Sequence, residues 1–337
     1  MIRNTRLTVL ATLIAAGCST TALAHHSAAA FNTGVKQTIS GVVTEYSFRN
    51  PHVYMVLNVK KEDGTTVATE VEAGAASVIG PLGFSRDSIK VGDKISIVGN
   101  PPKAGGDKLF LGLELYKEDG TYLPLNIASK STYTDTGAKA TSIAGTWFSP
   151  MKSFMGFLGG QRGWQTTDAA KAAAAKAASL PTPQKDCQPI GEPAVAFYPV
   201  ATVIDVQKDK VLLHIDWLDT ERTVWLDGRK HPDAKQTFPH GHSVGHFEGN
   251  TLVVDSTNFA PNPIGLTTSL PSGTGKHLTE KYEVGPDGKS LVYSGKIEDP
   301  EFLAAPVEWS GTLEYRPDMK LSGEKCDIKT AQKFLSQ

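Results

Sequence analysis

The amino-acid sequence predicts an all-β protein built from two antiparallel barrels, with one surface helix. Two observations lead to this prediction: short segments of alternating apolar and polar residues recur along most of the chain, and turn residues separate them. The chain has 337 residues, of which 40% are hydrophobic, so it contains enough apolar material for two packed domains.

The charge balance and the motif content exclude several classes of function. With 34 Lys and Arg against 35 Asp and Glu, the formal net charge is −1, which provides no field for attracting a polyanion. The sequence contains no Gly-x-Gly-x-x-Gly, no phosphate loop and no Cys-x-x-Cys. We therefore expect no nucleic-acid partner and no nucleotide cofactor.

The first 24 residues have the three parts of a secretory signal peptide. Two arginines precede an apolar stretch over residues 7–16, and Ala22-Leu23-Ala24 forms an Ala-x-Ala cleavage site. The apolar stretch is about half as long as a membrane-spanning helix requires. We therefore expect cleavage after residue 24 and a periplasmic or secreted protein without a transmembrane segment. The alternative is lipid attachment at Cys18, which would make the chain an outer-membrane lipoprotein.

Residues 25–126 form the first predicted domain, a small barrel of OB-like type. Short alternating strands with turn residues between them are typical of such a barrel. A segment rich in Ser, Thr and Gly, residues 127–144, follows as a linker. The predicted strands are Thr38–Phe48, His52–Lys60, Thr66–Ala73, Lys94–Gly99, Leu109–Lys117 and Thr121–Leu125.

Residues 145–337 form the second predicted domain. A helix capped by Thr167 is expected over Asp168–Leu180, and its nearly all-alanine composition is typical of a surface helix. About eight antiparallel strands follow, enough to close a barrel with room for one small ligand. They are Ala201–Gln207, Lys210–Asp216, Arg222–Leu226, Ser243–Glu248, Thr251–Ser256, Leu278–Val284, Ser290–Glu298 and Val307–Tyr315.

Two cysteines, Cys187 and Cys326, remain after the predicted cleavage. In an oxidising compartment we expect them to form a disulfide, which would close a loop of about 140 residues. The alternative is two separate buried thiols.

Four motifs of the first domain resemble an uncharacterised family of exported bacterial proteins. They are Ala24-His25-His26-Ser27, Asn50-Pro51-His52 in the first hairpin, and the turns at Gly92-Asp93 and Glu118-Asp119-Gly120. Members of that family typically begin His-His-Ser after the signal peptide and have Asn-Pro-His in the first hairpin. Phe48 lies where the family usually has a tryptophan, so we expect the aromatic packing to differ. The resemblance covers about residues 25–125 and implies export, but no established reaction.

The second domain resembles a lipocalin-like domain of unknown function found in many exported bacterial proteins. The resemblance therefore implies that this barrel is lipocalin-like, again without an established reaction. The residues that carry this resemblance are Arg222–Arg229, His231-Pro232, Gly241–Gly245, Glu248–Asp255 and Asp299-Pro300. In addition, Gly145-Thr146-Trp147 matches the Gly-x-Trp start of a lipocalin barrel.

The predicted mature N-terminus is a candidate copper site. After cleavage His25 has both a free α-amino group and an imidazole, and this amine loses its proton to a metal readily at neutral pH. Cu(II) favours such tetragonal nitrogen ligands, which His26 and His52 would complete. The alternative is a solvated N-terminus and a histidine in a turn.

Two further groups of polar residues lie in the second domain. His240, His242 and His246 would share one face of an extended segment, but no cysteine or carboxylate lies at ligand spacing, so a structural or pocket-lining role is favoured over zinc. Arg222, His231, His242 and Glu280 would bind or orient a ligand if they face the barrel interior. The alternative is that Arg222 pairs with Asp227, Asp255 or Glu280 and stabilises the barrel.

These observations favour a periplasmic binding protein, with copper at the first domain and a small apolar or amphipathic molecule in the second barrel. Six aromatic residues could line that cavity or fill it: Trp217, Trp225, Phe247, Tyr282, Tyr293 and Trp309. The alternative function is an isomerase, hydratase or hydrolase that uses His242 and Glu280. A third is an assembly or adhesion module in which neither barrel binds a ligand.

Overall fold

The computed structural model describes residues 30–103, 109–176 and 182–333, and it confirms an all-β fold with two barrels. His25, His26 and the signal-peptide prediction lie outside the described residues. The first barrel region contains β1 (Gln37–Ser47), β2 (Tyr54–Lys60), β3 (Thr66–Glu72), α1 (Ala76–Ile79), β4 (Lys94–Asn100), β5 (Leu109–Lys117) and β6 (Tyr122–Pro124).

The first barrel closes in the strand order of an OB fold. Its strands follow one another as β1, β2, β3, β5, β4 and back to β1, and β6 extends the sheet beside β5. All of these pairs are antiparallel except β3 and β5, which are parallel. A β-bulge between Val43 and Glu45 bends the long strand β1, so that it pairs with β4 at its start and with β2 at its end.

The second barrel has nine strands, because the short Gly-x-Trp segment adds one to the predicted eight. They are β7 (Gly145–Phe148), β8 (Ala201–Val206), β9 (Lys210–Ile215), β10 (Thr220–Trp225), β11 (His242–Glu248), β12 (Thr251–Thr257), β13 (His277–Val284), β14 (Ser290–Glu298) and β15 (Val307–Tyr315). They close in chain order, and β15 returns to β7. A closed ring of an odd number of strands cannot alternate throughout. One pair must therefore be parallel, and it is β10 with β11.

The two ends of this barrel differ. At one end, short turns at residues 207–209, 249–250 and 285–289 join the strands, whereas the other end has long connections over residues 149–200, 258–276 and 299–306. We call the second end the capped end. The first long connection contains α2 (Met151–Gly160), α3 (Asp168–Ala174) and α4 (Pro183–Asp186).

Helix α3 confirms the predicted cap, since Thr167 Oγ1 accepts a hydrogen bond from the amide of Ala170 at 3.2 Å. The helix ends at Ala174, short of the predicted Leu180, and residues 177–181 lie outside the described part of the chain. Helix α2 was not predicted, because glycines lower its intrinsic helix propensity. Its Phe157 ring stacks on Phe197, with ring centroids 4.7 Å apart, and this tertiary contact favours the helix.

Side chains fill the interior of the second barrel. Trp147, Trp217 and Tyr293 are almost completely buried, and Phe197 packs against Tyr293 with ring centroids 5.3 Å apart. Of the six aromatic residues predicted for the interior, four are buried. Trp225 faces outward, where the Arg229 guanidinium lies 3.5 Å from its ring centroid, and Phe247 is 40% exposed near the end of its strand.

The C-terminal segment connects the two barrels. The predicted disulfide between Cys187 and Cys326 is present and joins this segment to the capped end of the second barrel. Against the first barrel, Asn50 Nδ2 donates to the carbonyl of Glu324 at 2.6 Å. Ser322 donates its amide at 2.7 Å and its hydroxyl at 2.8 Å to the carboxylate of Asp216, which follows β9. The segment ends in α5 (Ile328–Lys333).

The Asp216 carboxyl should make stability depend on pH. Burial raises its pKa to about 6, so its protonated form stabilises the fold below about pH 4, and this stabilisation is lost as the pH rises through 6. We expect wild type to lose about 2–3 kcal/mol relative to Asp216→Asn between pH 4 and pH 7, measured by urea unfolding. An equal difference between the two proteins at both pH values would contradict this prediction.

Candidate functional site

The two-residue period of the strands places the predicted ligand-binding residues on opposite faces of the barrel wall. Arg222 on β10 and Glu280 on β13 point inward and are 3% and 0% exposed. His242 is one residue before the buried Ser243 and therefore faces outward, close to His231. The structure thus brings the four residues together as two separate pairs and not as one pocket.

The inner pair is the centre of a buried hydrogen-bond network. Arg222 donates from Nη1 to Glu280 Oε1 at 2.8 Å, and its Nη2 pairs with Oε2. Two serines complete the contacts of the guanidinium: Ser243 Oγ accepts from Nε at 3.0 Å, and Ser256 Oγ accepts from Nη2 at 2.7 Å. Burial opposes the charge of Arg222, but Glu280 raises its pKa well above the ordinary value. This is the stabilising partnership that the sequence offered as an alternative.

Two tyrosines complete the network around Glu280. Tyr293 donates its hydroxyl to Glu280 Oε1 at 2.7 Å, and Tyr282 donates to the same oxygen at 3.2 Å. Burial, and after it the charge of Glu280, raises the pKa of both phenols well above the ordinary value. Both tyrosines therefore remain protonated donors at physiological pH.

The motif Gly241-His242-Ser243-Val244-Gly245 has the Gly-x-Ser-x-Gly pattern of many serine hydrolases. In those enzymes the serine is exposed on a sharp turn between a strand and a helix. Here Ser243 lies within β11, is 1% exposed and accepts its hydrogen bonds from Arg222 and Ser256. The geometry of a hydrolase nucleophile is therefore not present at this motif.

The outer pair belongs to a chain of histidines and carboxylates at the rim of the capped end. The Nδ1 atoms of His231 and His242 are 2.9 Å apart, and His231 Nε2 lies 2.9 Å from Asp255 Oδ1. His277 continues the chain, with Nε2 2.7 Å from Asp255 Oδ2 and Nδ1 3.3 Å from Glu298. Partial burial, and then the neighbouring His231, lowers the pKa of His242.

A second buried ionic group was not predicted from the sequence. Lys276, 2% exposed, donates from Nζ to the carbonyls of Glu192 at 2.5 Å and Gly265 at 2.8 Å. His240 Nδ1 lies 2.9 Å from Glu192 Oε1. Burial lowers the pKa of Lys276 to about 8. Burial alone would raise the pKa of Glu192, but His240 and the nearby cations lower that pKa to about 2. These contacts join the loops of the capped end.

The predicted histidine run does not converge on one ion. His240 pairs with Glu192 inside the capped end, His242 lies on the outer rim, and His246 is exposed beside Glu248 at 3.2 Å. Among residues 30–103, 109–176 and 182–333, no three His, Cys, Asp or Glu side chains are arranged to hold a metal ion.

His52 of the first barrel is buried just before β2, after the cis peptide bond between Asn50 and Pro51. Its Nδ1 lies 3.2 Å from Glu72 Oε1 on β3. Burial raises the pKa of Glu72 to about 7. The third metal-ligand candidate is thus held by the fold next to a carboxylate.

A cleft of about 460 Å³ lies at the capped end, between the C-terminal part of α2 and the first half of β15. The cleft was not predicted from the sequence, although three of its lining glycines lie in the glycine-rich stretch Gly156–Gly163. Trp309 borders the cleft, and its indole Nε1 is buried without a hydrogen-bond partner among the described residues. The lining residues are Gly156, Phe157, Gly160, Gly163, Trp164, Gln165, Ala305, Pro306, Val307, Glu308, Trp309 and Ser310.

Removing one partner of the inner ion pair should destabilise the protein strongly. We expect Arg222→Met to lower the unfolding free energy by about 3–5 kcal/mol, because Glu280 would be left as a buried charge without its cation. The double variant Arg222→Met/Glu280→Leu should lose less than the single variant, because no buried charge remains. Urea unfolding measures both values, and a single variant within about 1 kcal/mol of wild type would contradict the prediction.

Comparison with known proteins finds a similarity over the first part of the chain. A family model described as a family of unknown function, DUF6152, matches residues 13–110, which contain β1 to β4 and the start of β5. No curated protein matches the chain. Among the described residues, no helix combines the length and the apolar composition needed to cross a membrane. Over residues 13–110 the chain is therefore similar to an uncharacterised family.

Proposed function

We propose that this protein is an exported binding protein, and that it holds a small amphipathic molecule in the cleft of the second barrel. The signal-peptide pattern and the disulfide support export, since disulfides persist in oxidising compartments. The observation that carries the binding proposal is the cleft itself: the aromatic residues Phe157, Trp164 and Trp309 are part of the lining of a concave space of about 460 Å³, a size typical of ligand sites.

The filled interior of the barrel supports the cleft as the binding site. Phe197 and Tyr293 occupy the space in which a lipocalin-like barrel would hold a ligand. The cleft instead exposes Trp164 beside Phe157, with ring centroids 6.0 Å apart. Aromatic rings of this kind provide large apolar contact areas for a ligand.

The residues that line the cleft favour binding over catalysis. Glu308 is the titratable side chain in the lining, and general acid–base chemistry commonly uses a second group. The enzyme alternative relied on His242 and Glu280, which the barrel wall separates into an outer and an inner position. An isomerase, hydratase or hydrolase that uses these two residues together is therefore disfavoured.

An environment-sensitive apolar dye tests the binding proposal with two matched glycine variants. Gly159 and Gly160 both have open space where a side chain would begin, and Gly160 lines the cleft whereas Gly159 does not. We expect Gly160→Leu to abolish saturable dye fluorescence and Gly159→Leu to retain it. Leucine at either position should leave the free energy of unfolding unchanged or raise it by about 0.5–1 kcal/mol, because glycine disfavours a helix.

Thermal unfolding of both variants checks that each remains folded. Dye binding that is absent from wild type, or that is equal in the two variants, would contradict the assignment of the cleft as the ligand site.

A second candidate function, copper binding at the mature N-terminus, is supported by the position of His52. A carboxylate on one ring nitrogen commonly orients a metal-binding histidine, and Glu72 lies 3.2 Å from His52 Nδ1. His25 would supply its amine and imidazole, and His26 or His52 would complete the site. A bound Cu(II) ion would be held there by nitrogen ligands.

Copper titration of the exported protein tests this second proposal. Adding one alanine before His25 moves the free amine away from the imidazole, so we expect affinity for Cu(II) to fall at least about tenfold by calorimetry. Lengthening the chain after Gln337 by one alanine is the matched control and should leave affinity unchanged. Unchanged affinity in the N-terminally extended protein would contradict the chelate.

A further inference from the structure

Among the residues that the structure describes, one edge of β15 has no strand neighbour at the cleft. On its β14 side, β15 is paired along Val307–Glu314 without a shift in register. On its other side, the four-residue strand β7 pairs only with Glu314 and Tyr315. The first half of β15 therefore has an unpaired edge, which borders the cleft.

The hydrogen-bond alternation of antiparallel strands shows which backbone groups face this edge. The amide of Tyr315 donates to Lys289 on the β14 side, whereas the amide of Arg316 donates to Thr146 of β7. Because the register is regular, the backbone N–H and C=O groups of the odd-numbered residues of β15 point toward β14. Those of the even-numbered residues point toward the other side.

The even-numbered residues of β15 that precede its pairing with β7 are Glu308, Ser310 and Thr312. The carbonyl of Thr312 confirms the assignment, since it accepts a hydrogen bond from Ser153 Oγ of α2 at 2.6 Å. Among the hydrogen bonds between described residues, none joins the backbone of Glu308 or Ser310 to a neighbour on this side. Both residues line the cleft, so two amides and two carbonyls face it.

The opposite wall of the cleft allows a second backbone to come close. Gly156, Gly160 and Gly163 line that wall, and apart from their chain neighbours and the helix's own backbone, no described atom lies within 4 Å of where a side chain would begin at any of them. Immediately before β15, two segments of this chain already approach each other closely enough to form main-chain hydrogen bonds. The amide of Ala304 donates to Gln165 at 2.8 Å, and that of Thr167 donates to Phe302 at 3.1 Å.

We infer that the ligand of the cleft is a short peptide in extended conformation, which adds a strand to β15 beside Glu308 and Ser310. This inference rests on the proposed binding function and names its ligand class. The run from Val307 to Ser310 spans about 10 Å at the rise of a strand, which corresponds to a peptide of about three or four residues. Main-chain hydrogen bonds would provide affinity, and apolar side chains at alternate positions would contact Trp164 and Phe157.

Backbone-methylated peptides test the inference directly. The probe is the blocked tetrapeptide acetyl-Thr-Phe-Val-Thr-amide, titrated by calorimetry, together with four analogues that each have one N-methylated amide. In an added strand, alternate amides face β15. We therefore expect methylation at two alternate positions to weaken binding at least about tenfold and methylation at the other two to have little effect.

Amide hydrogen exchange gives a second readout on the protein itself. In the free protein the amides of Glu308 and Ser310 should exchange faster than those of Val307 and Trp309, which pair with β14. The parent peptide should slow exchange at Glu308 and Ser310. Gly160→Leu should abolish peptide binding, and Gly159→Leu should preserve it.

The outcomes separate this inference from the proposed function. Dye binding that Gly160→Leu abolishes, without peptide binding, would overturn the peptide and leave the binding protein. Equal binding of all four methylated analogues would also overturn the strand addition. Loss of both dye and peptide binding would overturn both proposals. A wild-type dimer in sedimentation that Gly160→Leu converts to a monomer would assign the edge to a second copy of this chain and would overturn the peptide.

Discussion

Closure of the second barrel by nine strands is the constraint on which its other features depend. An odd ring requires one parallel pair, and that pair requires a connection that runs from one end of the barrel to the other. Residues 226–241 provide this connection between β10 and β11, and they contain His231 and His240. The strand that joins β15 to β8 and so completes the ring is β7, which has four residues and is less than half as long as its neighbour β15. The unpaired edge and the cleft both follow from this difference in length.

The interior of the barrel is stabilised by charge as well as by apolar packing. A buried ion pair recovers the cost of desolvation only when its geometry is good and its remaining donors and acceptors are satisfied. Arg222 meets this condition with Glu280 and two serines, and Glu280 meets it with two tyrosines. These partners come from five different strands, so the network also fixes how the strands meet. Lys276 has a related role at the capped end, where it joins loops through two carbonyls.

A filled barrel with a cleft in its wall changes where ligand binding is expected. Lipocalin-like barrels hold ligands inside, but here Phe197 occupies the interior, next to Tyr293. The cleft is formed by a helix with exposed glycines, by aromatic rings and by backbone groups of a strand edge. This combination favours a ligand that offers both apolar groups and main-chain donors and acceptors.

The sequence by itself determined the local features of this protein. The two-residue period predicted nearly all the strands of both barrels, and the two cysteines left after the predicted cleavage allowed one pairing. The period left open whether Arg222 and Glu280 face inward, and the structure shows that both do. Only the tertiary structure decided which strand ends meet. Glu192 and Lys276 are 84 residues apart, and no periodicity joins them. The unpaired edge of β15 depends likewise on the length of β7, more than 150 residues earlier in the chain. The alternation of apolar and polar residues along a strand shows which face of the strand is buried, because burial acts on each residue locally. Which strand lies beside a given edge depends on how the whole ring closes. The residue pattern within one strand does not predict that neighbour.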